Sequence, residues 1–295
     1  MTSRVLRCLI LAAAIVGGAN AAPEPTRTPE RLLEMEELPP GFFHLDEWIP
    51  PALRGGLAAY EEGRYFTTLG EVQPLLASRE PEYAVDDAQF LRALALVAVG
   101  WDDLAVPAFK AVLESKEVGP YYVPSLLALV EIHDRAGRWS AIVEAWQRWI
   151  VKPLRSGGSR GDRVNELLWE YGELRPAQMD STRRENKLLS APEELAVILE
   201  KRRERASDRL MYRIGQALLR LGRHEDSLNV LLGIGIESPY YPYARYSMAQ
   251  NQFALGRADE AWRTLVRLGR YPKLTQEEKL LGSRAKVMQA AIRFE

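Results

Sequence analysis

A short turn beginning with glycine recurs along the chain, as GRYFTT at Gly63, GWDDLA at Gly100, GRWSAI at Gly137, GRHEDS at Gly222 and GRADEA at Gly256. The first three copies are 37 residues apart and the last two 34. Each is preceded by an apolar-periodic stretch, such as QFLRALALVAV before Gly100 or LMYRIGQALLRL before Gly222. Each is followed by another, such as AFKAVL or AWRTLVRL. Apolar residues fall at i, i+3, i+4 and i+7, the spacing of one helix face. Glycine suits the point where two antiparallel helices join, because it takes a positive φ at a helix C-terminus at little cost. A fixed period in the thirties with this patterning specifies stacked helical hairpins, and no stretch alternates as a strand would. The fold class is all-α. Solenoids of this kind bind far more often than they catalyse, so no catalytic, cofactor-binding or metal-binding residue is expected.

Residues 1–21 read as a secretory signal peptide. Arg4 and Arg7 supply a basic start, Cys8 to Val16 an apolar core, and Ala19-Asn20-Ala21 a small-x-small cleavage site before Ala22. The apolar run is well short of the roughly 20 residues needed to span a bilayer, so no stable membrane anchor is expected after cleavage. The single cysteine, Cys8, leaves with the signal, which excludes disulfides and thiolate sites from the mature chain. Loss of Arg4 and Arg7 leaves 37 basic against 40 acidic residues and moves the formal charge from −1 to −3. That balance argues against nucleic acid as a partner. The expected destination is the bacterial periplasm, with secretion as the alternative.

Residues 22–49 form a Pro-rich extension in which a short helix is expected from Pro29 to Leu38, read as a cap on the first hairpin. Residues 50–155 hold three hairpins. Residues 156–206 break the rhythm: Pro153 is expected to end a helix, RSGGSRGD to form a loop, and helices near 162–171 and 191–206 to pair as one degenerate hairpin around a long insertion. A hinge between two sub-arrays is the alternative. Residues 207–274 hold two more hairpins, and the capping box Thr275-Gln276-Glu277-Glu278 starts a terminal helix over 275–295. Pro120-Tyr121-Tyr122 and Pro239-Tyr240-Tyr241 each lie 17 residues before a turn glycine, which places both at the start of a hairpin.

The hairpins resemble tetratricopeptide repeats. In the fourth unit Met211, Ile214, Gly215 and Leu218 match the family's first-helix positions, with Gly222 at the turn, Ser227 and Leu231 at the small and large positions of the second helix, and Pro239 closing it. Ala105 and Phe109 repeat the small-to-large step in the second unit, and Ala261 and Leu265 in the fifth, where Ala249 replaces the first-helix glycine. The third unit departs, with Ile142 at the small position and tryptophans at Trp139, Trp146 and Trp149. The resemblance covers about residues 50–150 and 207–272. It implies a right-handed α-solenoid of about five or six antiparallel hairpins with an N-terminal extension and a capping helix. It also implies that the first helix of each hairpin lines a concave groove. Arg209, Tyr212, Gln216 and Arg220, then Tyr243, Tyr246, Gln250 and Phe253, fall on that face in the last two hairpins. Tyrosine and arginine anchor interfaces well. These residues either bind a partner segment or pack between adjacent hairpins, as the apolar Phe90, Leu94 and Val97 of the second unit are expected to do.

Other motifs point to structure. Gly157-Gly158-Ser159-Arg160-Gly161 satisfies G-x-S-x-G, but that elbow needs a strand before it. Gly233-Ile234-Gly235 lacks a third glycine and reads as a helix end. His44, His133 and His224 show no metal-ligand spacing. The basic run Lys201-Arg202-Arg203-Glu204-Arg205, with Arg183 and Arg184 upstream, reads as a solvated face or a surface for an anionic partner. The functional expectation is an exported scaffold that joins protein partners in the cell envelope, with peripheral envelope association allowed. The alternatives are a cell-wall remodelling factor like the helical solenoids of lytic transglycosylases, and a purely structural subunit.

Overall fold

Each of the five turn glycines holds a positive φ, between 66° at Gly137 and 79° at Gly100. At each, the glycine N–H donates to the carbonyl three residues back and the next N–H to the carbonyl five before it. Gly100 thus bonds to Val97 at 2.9 Å and Trp101 to Leu96 at 2.8 Å, and the same pair recurs at Gly63, Gly137, Gly222 and Gly256. This Schellman closure satisfies the last carbonyls of the first helix and fixes the direction in which the second one leaves. The residue after the glycine repeats its conformation as well: φ and ψ are −94° and 55° at Trp101, −88° and 63° at Arg138, −85° and 62° at Arg223, and −91° and 59° at Arg257.

The computed structural model describes residues 51–77, 82–170, 186–200 and 206–294. The described residues are helical or in turns, with no strand. The signal peptide, the Pro-rich extension and the basic residues Arg183, Arg184 and Lys201 to Arg205 lie outside them. The helices run α1 (Pro51–Glu61), α2 (Tyr65–Ala77), α3 (Glu82–Ala98), α4 (Asp102–Leu113), α5 (Tyr122–Arg135), α6 (Trp139–Trp146), α7 (Gly158–Glu170), α8 (Pro192–Glu200), α9 (Ala206–Arg220), α10 (His224–Leu231), α11 (Tyr241–Ala254), α12 (Ala258–Arg270) and α13 (Gln276–Arg293). Two compact units divide between Leu174 and Arg175. In the first, α1 through α6 form three successive hairpins and α7 packs on α5. In the second, α9 through α12 form two hairpins and α13 covers α12 and α11. Within each unit the hairpin helices pack chiefly on their neighbours in sequence, the solenoid-like arrangement the period specified.

The small-to-large register holds in the core. Five residues after the glycine come Thr68, Ala105, Ile142, Ser227 and Ala261, all fully buried. Nine residues after it come Val72, Phe109, Leu231 and Leu265, also fully buried. Seven residues before it, Gly56 and Gly215 admit those large residues: a Cβ on Gly56 would lie 2.9 Å from Val72, and one on Gly215 would lie 2.5 Å from Leu231. Ile142 is therefore accommodated at a position that is small elsewhere. A buried polar chain joins the last two hairpins. Ser227 Oγ donates to the Gly215 carbonyl at 2.8 Å, Asn251 Nδ2 donates to Ser227 Oγ at 2.8 Å, and Gln216 Nε2 donates to Ser247 Oγ at 2.5 Å. Such groups cost stability unless paired, so the chain specifies one seating of hairpin on hairpin. The terminal helix starts on the capping box expected, with Thr275 and Glu278 each accepting the other's backbone N–H.

The break in the rhythm is built differently from the sequence expectation. Pro153 does not end a helix. The chain passes from α6 through a π-helical turn, Gln147–Val151, into a further helical turn, Lys152–Ser156. Proline has no N–H to give the carbonyl four residues back, which is that of Trp149. The Tyr122 hydroxyl donates to it instead, at 2.7 Å. RSGGSRGD is not a loop either: Gly157 makes the turn, at φ 62°, and α7 begins at Gly158. Packing overrides the loop-like composition, because Gly161, Val164, Leu167 and Leu168 form one buried face. A Cβ on Gly161 would lie 2.6 Å from the Pro153 carbonyl oxygen. Finally, α7 and α8, expected to pair as one hairpin, fall in different compact units.

Alanine usually stabilises a helix over glycine by about 1 kcal/mol. At position 215 the sign reverses: Gly215→Ala lowers stability by about 1–3 kcal/mol in urea denaturation, because the buried Leu231 side chain must shift to admit the methyl group. Paired with Leu231→Ala, it costs less than the sum of the two single changes.

Candidate functional site

The residues placed on the concave groove are largely inside the chain. Arg209, Tyr212, Gln216, Tyr243 and Tyr246 are all at most 6% exposed. Tyr212 lies tilted against Tyr240 with ring centroids 5.3 Å apart and meets Tyr243 edge-on at 6.4 Å. Position by position, it does what Phe90 does in the first unit, where Phe90 stacks on Tyr121 at 5.2 Å. Both aromatics lie ten residues before a turn glycine, and both are covered by the first tyrosine of the following Pro-Tyr-Tyr. Burial raises the Tyr246 hydroxyl, with Arg284 of α13 opposing. The groove expectation is corrected for these five residues: their surface is covered by the chain itself. Arg220, Gln250 and Phe253 stay partly exposed.

Aligning the turns brings out a surface that reading them one at a time misses. The residue just after the glycine is Arg64, Arg138, Arg223 and Arg257 in four hairpins and Trp101 in the second. Where two hairpins follow each other, this residue reaches the one three places after the previous glycine. Arg138 pairs with Asp103 at 2.9 Å, and Arg257 pairs with Glu225. Between the first two hairpins the same positions hold Trp101 and Phe66, whose rings meet edge-on at 5.5 Å. An aromatic pair thus stands where the other junctions carry an ion pair. Phe66 is 65% exposed, Trp101 46% and the neighbouring Leu104 58%. Three large apolar residues are thus exposed on one turn edge.

A cleft of about 490 Å³ also opens in the first unit. Leu113 and Glu114 of α4, Tyr122 of α5, Arg148 and Trp149 of the π turn, Lys152 and Pro153, and Arg160 of α7 line it. Arg160 gives its N–H groups to the carbonyls of Leu113 at 2.7 Å and Ser115 at 2.8 Å, at the negative end of α4. Its guanidinium lies 5.8 Å from the Tyr122 ring centroid. That use explains the G-x-S-x-G segment as a helix start that carries a capping arginine, with Ser159 exposed. Gly233 closes the end of α10, as a helix-end reading requires. His224 packs at its turn, with Nδ1 3.0 Å from Asn251 Oδ1. Among the described residues no cluster of His, Cys, Asp and Glu is arranged to hold a metal. No helix there is long and apolar enough to cross a membrane.

No family model and no curated protein matches the chain. Among solved structures, an assembly chaperone of RpL4 (Acl4, residues 1–338) is similar at 16% identity over 83% of this chain and 97% of that one, with a TM-score of 0.31. That score is too low to transfer a function.

Asp87 and His133 are buried titratable groups of the first unit. Burial, and then Asp86, pushes the Asp87 carboxyl up to about 7, and the Tyr121 hydroxyl donates to it. At 4% exposed, Asp87 lies outside the cleft lining and is closed to a substrate there. Burial, reinforced by Arg138 and Lys110, pushes His133 down to about 4. The two act in opposite directions. From pH 6.5 down to about 4 the unfolded chain binds a proton at His133 that the folded chain refuses, so this stability is lost on acidification. From pH 3.8 up to about 7 the folded chain holds a proton at Asp87 that the unfolded chain releases, so this stability is lost as pH rises. Asp87→Asn removes one side of the balance. The variant's unfolding free energy, measured in urea from pH 6.5 to 4.5, falls relative to wild type by up to about 1.4 kcal/mol per pH unit.

Proposed function

We propose that the chain is an exported interaction scaffold of the bacterial cell envelope, built from tetratricopeptide-like hairpins, that binds protein partners and performs no chemistry of its own. The observation that carries the reading is the exposed Phe66, Trp101 and Leu104 surface on the turn edge of the first unit. An aromatic pair on a stiff repeat offers area and fixed geometry, the properties of an interface anchor. Ion pairs at the same register elsewhere show that the junction itself does not need aromatics to close. The export half of the reading rests on the basic start, short apolar core and Ala-x-Ala site of residues 1–21. The tetratricopeptide likeness is supported by the five glycine turns and by the small-to-large interlock, including Gly215 against Leu231.

The double variant Phe66→Asp/Trp101→Arg rebuilds at this junction the ion pair found at the others. Stability then changes by less than about 1 kcal/mol, since exposed pairs contribute little either way. Capture of a partner by in-cell crosslinking from position 104, read by mass spectrometry, drops by about tenfold or more, the loss expected of an aromatic hot spot. Undiminished capture by the folded variant would overturn the assignment of this surface. For export, the mature N-terminus read by mass spectrometry is Ala22.

A further inference from the structure

We propose that the cleft between α4, α5 and the π turn is a second docking site, for an acidic peptide segment. It rests on the scaffold reading and adds a partner chemistry to it. The shape comes from the backbone. The wide π turn, closed by the Lys152 N–H on the Gln147 carbonyl, sets Arg148, Trp149 and Lys152 along one wall. Local widening of a helix in this way is frequent at functional sites. Leu113, Pro153, Trp149 and Tyr122 lie buried beneath the cleft, Trp149 at 5% exposed and Leu113 and Tyr122 at most 1%. At about 490 Å³ the cleft is large enough for several side chains of a bound segment.

The charge comes from three cations against one carboxylate. Glu114 pairs with Arg148 at 2.7 Å. Arg160 and Lys152 have no carboxylate partner among the described residues, which leaves an excess of positive charge in a concave site. The donors do not converge. Arg160 has turned its N–H groups to the carbonyls of Leu113, Ser115 and Lys116, so it lends charge more than hydrogen bonds. Arg148 and Lys152, both exposed, keep donors to offer, and they are spaced along the wall rather than gathered into a nest. A compact inorganic anion needs a converging cage. A segment with separated carboxylates fits cations spaced along a wall.

The test uses the mature chain and three probes: an eight-residue peptide alternating glutamate and leucine, its lysine–leucine counterpart, and inorganic phosphate, each titrated calorimetrically. The acidic peptide binds, and Lys152→Glu weakens it by about tenfold or more, as reversing a charge at an interface does. The lysine peptide does not bind, and phosphate at equal concentration does not compete. Lys152 is exposed, so the variant folds as wild type; Lys152→Ala, with a smaller loss, checks that the effect follows the charge. No binding of the acidic peptide, equal binding of both peptides, full competition by phosphate, or an unchanged affinity in Lys152→Glu would each overturn the proposal. Partner capture through the aromatic turn edge, measured in parallel, separates the two readings: if capture persists while the acidic peptide fails to bind, the scaffold stands and the cleft is not its peptide site.

Discussion

The left-handed glycine at each turn is the constraint on which the packing depends. It closes two hydrogen bonds at once, and those bonds fix where the next helix starts and how it lies on the first. Because the closure is the same in all five hairpins, positions counted from the glycine fall on comparable parts of each hairpin. Five places on, the side chain is buried against the partner helix; nine places on, it is the large residue that fills the contact; seven places back, it yields space. The close approach of Leu231 to Gly215 and of Val72 to Gly56 follows from that count. The buried Ser227–Asn251 pair sits on the same grid and makes the contact between hairpins specific as well as tight.

This grid explains what the sequence reveals and what it hides. Turn glycines, the buried small residues Ala105 and Ala261, the Pro-Tyr-Tyr starts and the Thr275 capping box were all legible, because each is decided within a few residues of chain. The groove was not. Tyr212 carries a hydroxyl and lies on the first helix of its hairpin, which suggested a wet surface, yet it fills the slot Phe90 fills. What separates a buried tyrosine from an exposed one is the cover supplied by Tyr240, a contact between hairpins that no local pattern displays. The stretch after Pro153 misled for a related reason. Its glycines look like loop residues in isolation, whereas Gly161 is there to let α7 approach the Pro153 carbonyl.

The surfaces that carry the functional reading left a signal that single motifs do not show. Written under one another, the five turns display arginine after the glycine four times and tryptophan once. The exception matters only because the partner position has changed with it, from an acid to Phe66. The cleft left less. Its cations are spread over the π turn, the helical turn after it and α7, and they meet only because the helix widens at the π turn and Tyr122 takes over the bond that Pro153 cannot make.

The two kinds of junction on the turn edge respond differently to the surrounding solution. Ionic strength screens the exposed Arg138–Asp103 and Arg257–Glu225 pairs over a distance of about 8 Å at physiological salt. It leaves the Phe66–Trp101 contact untouched, and salts excluded from protein surfaces strengthen such contacts. A rise in salt therefore weakens the ion pairs at two seams and spares the third, which an excluded salt tightens. The hairpins joined by the aromatic seam hold their geometry across changes of ionic strength that the paired seams feel.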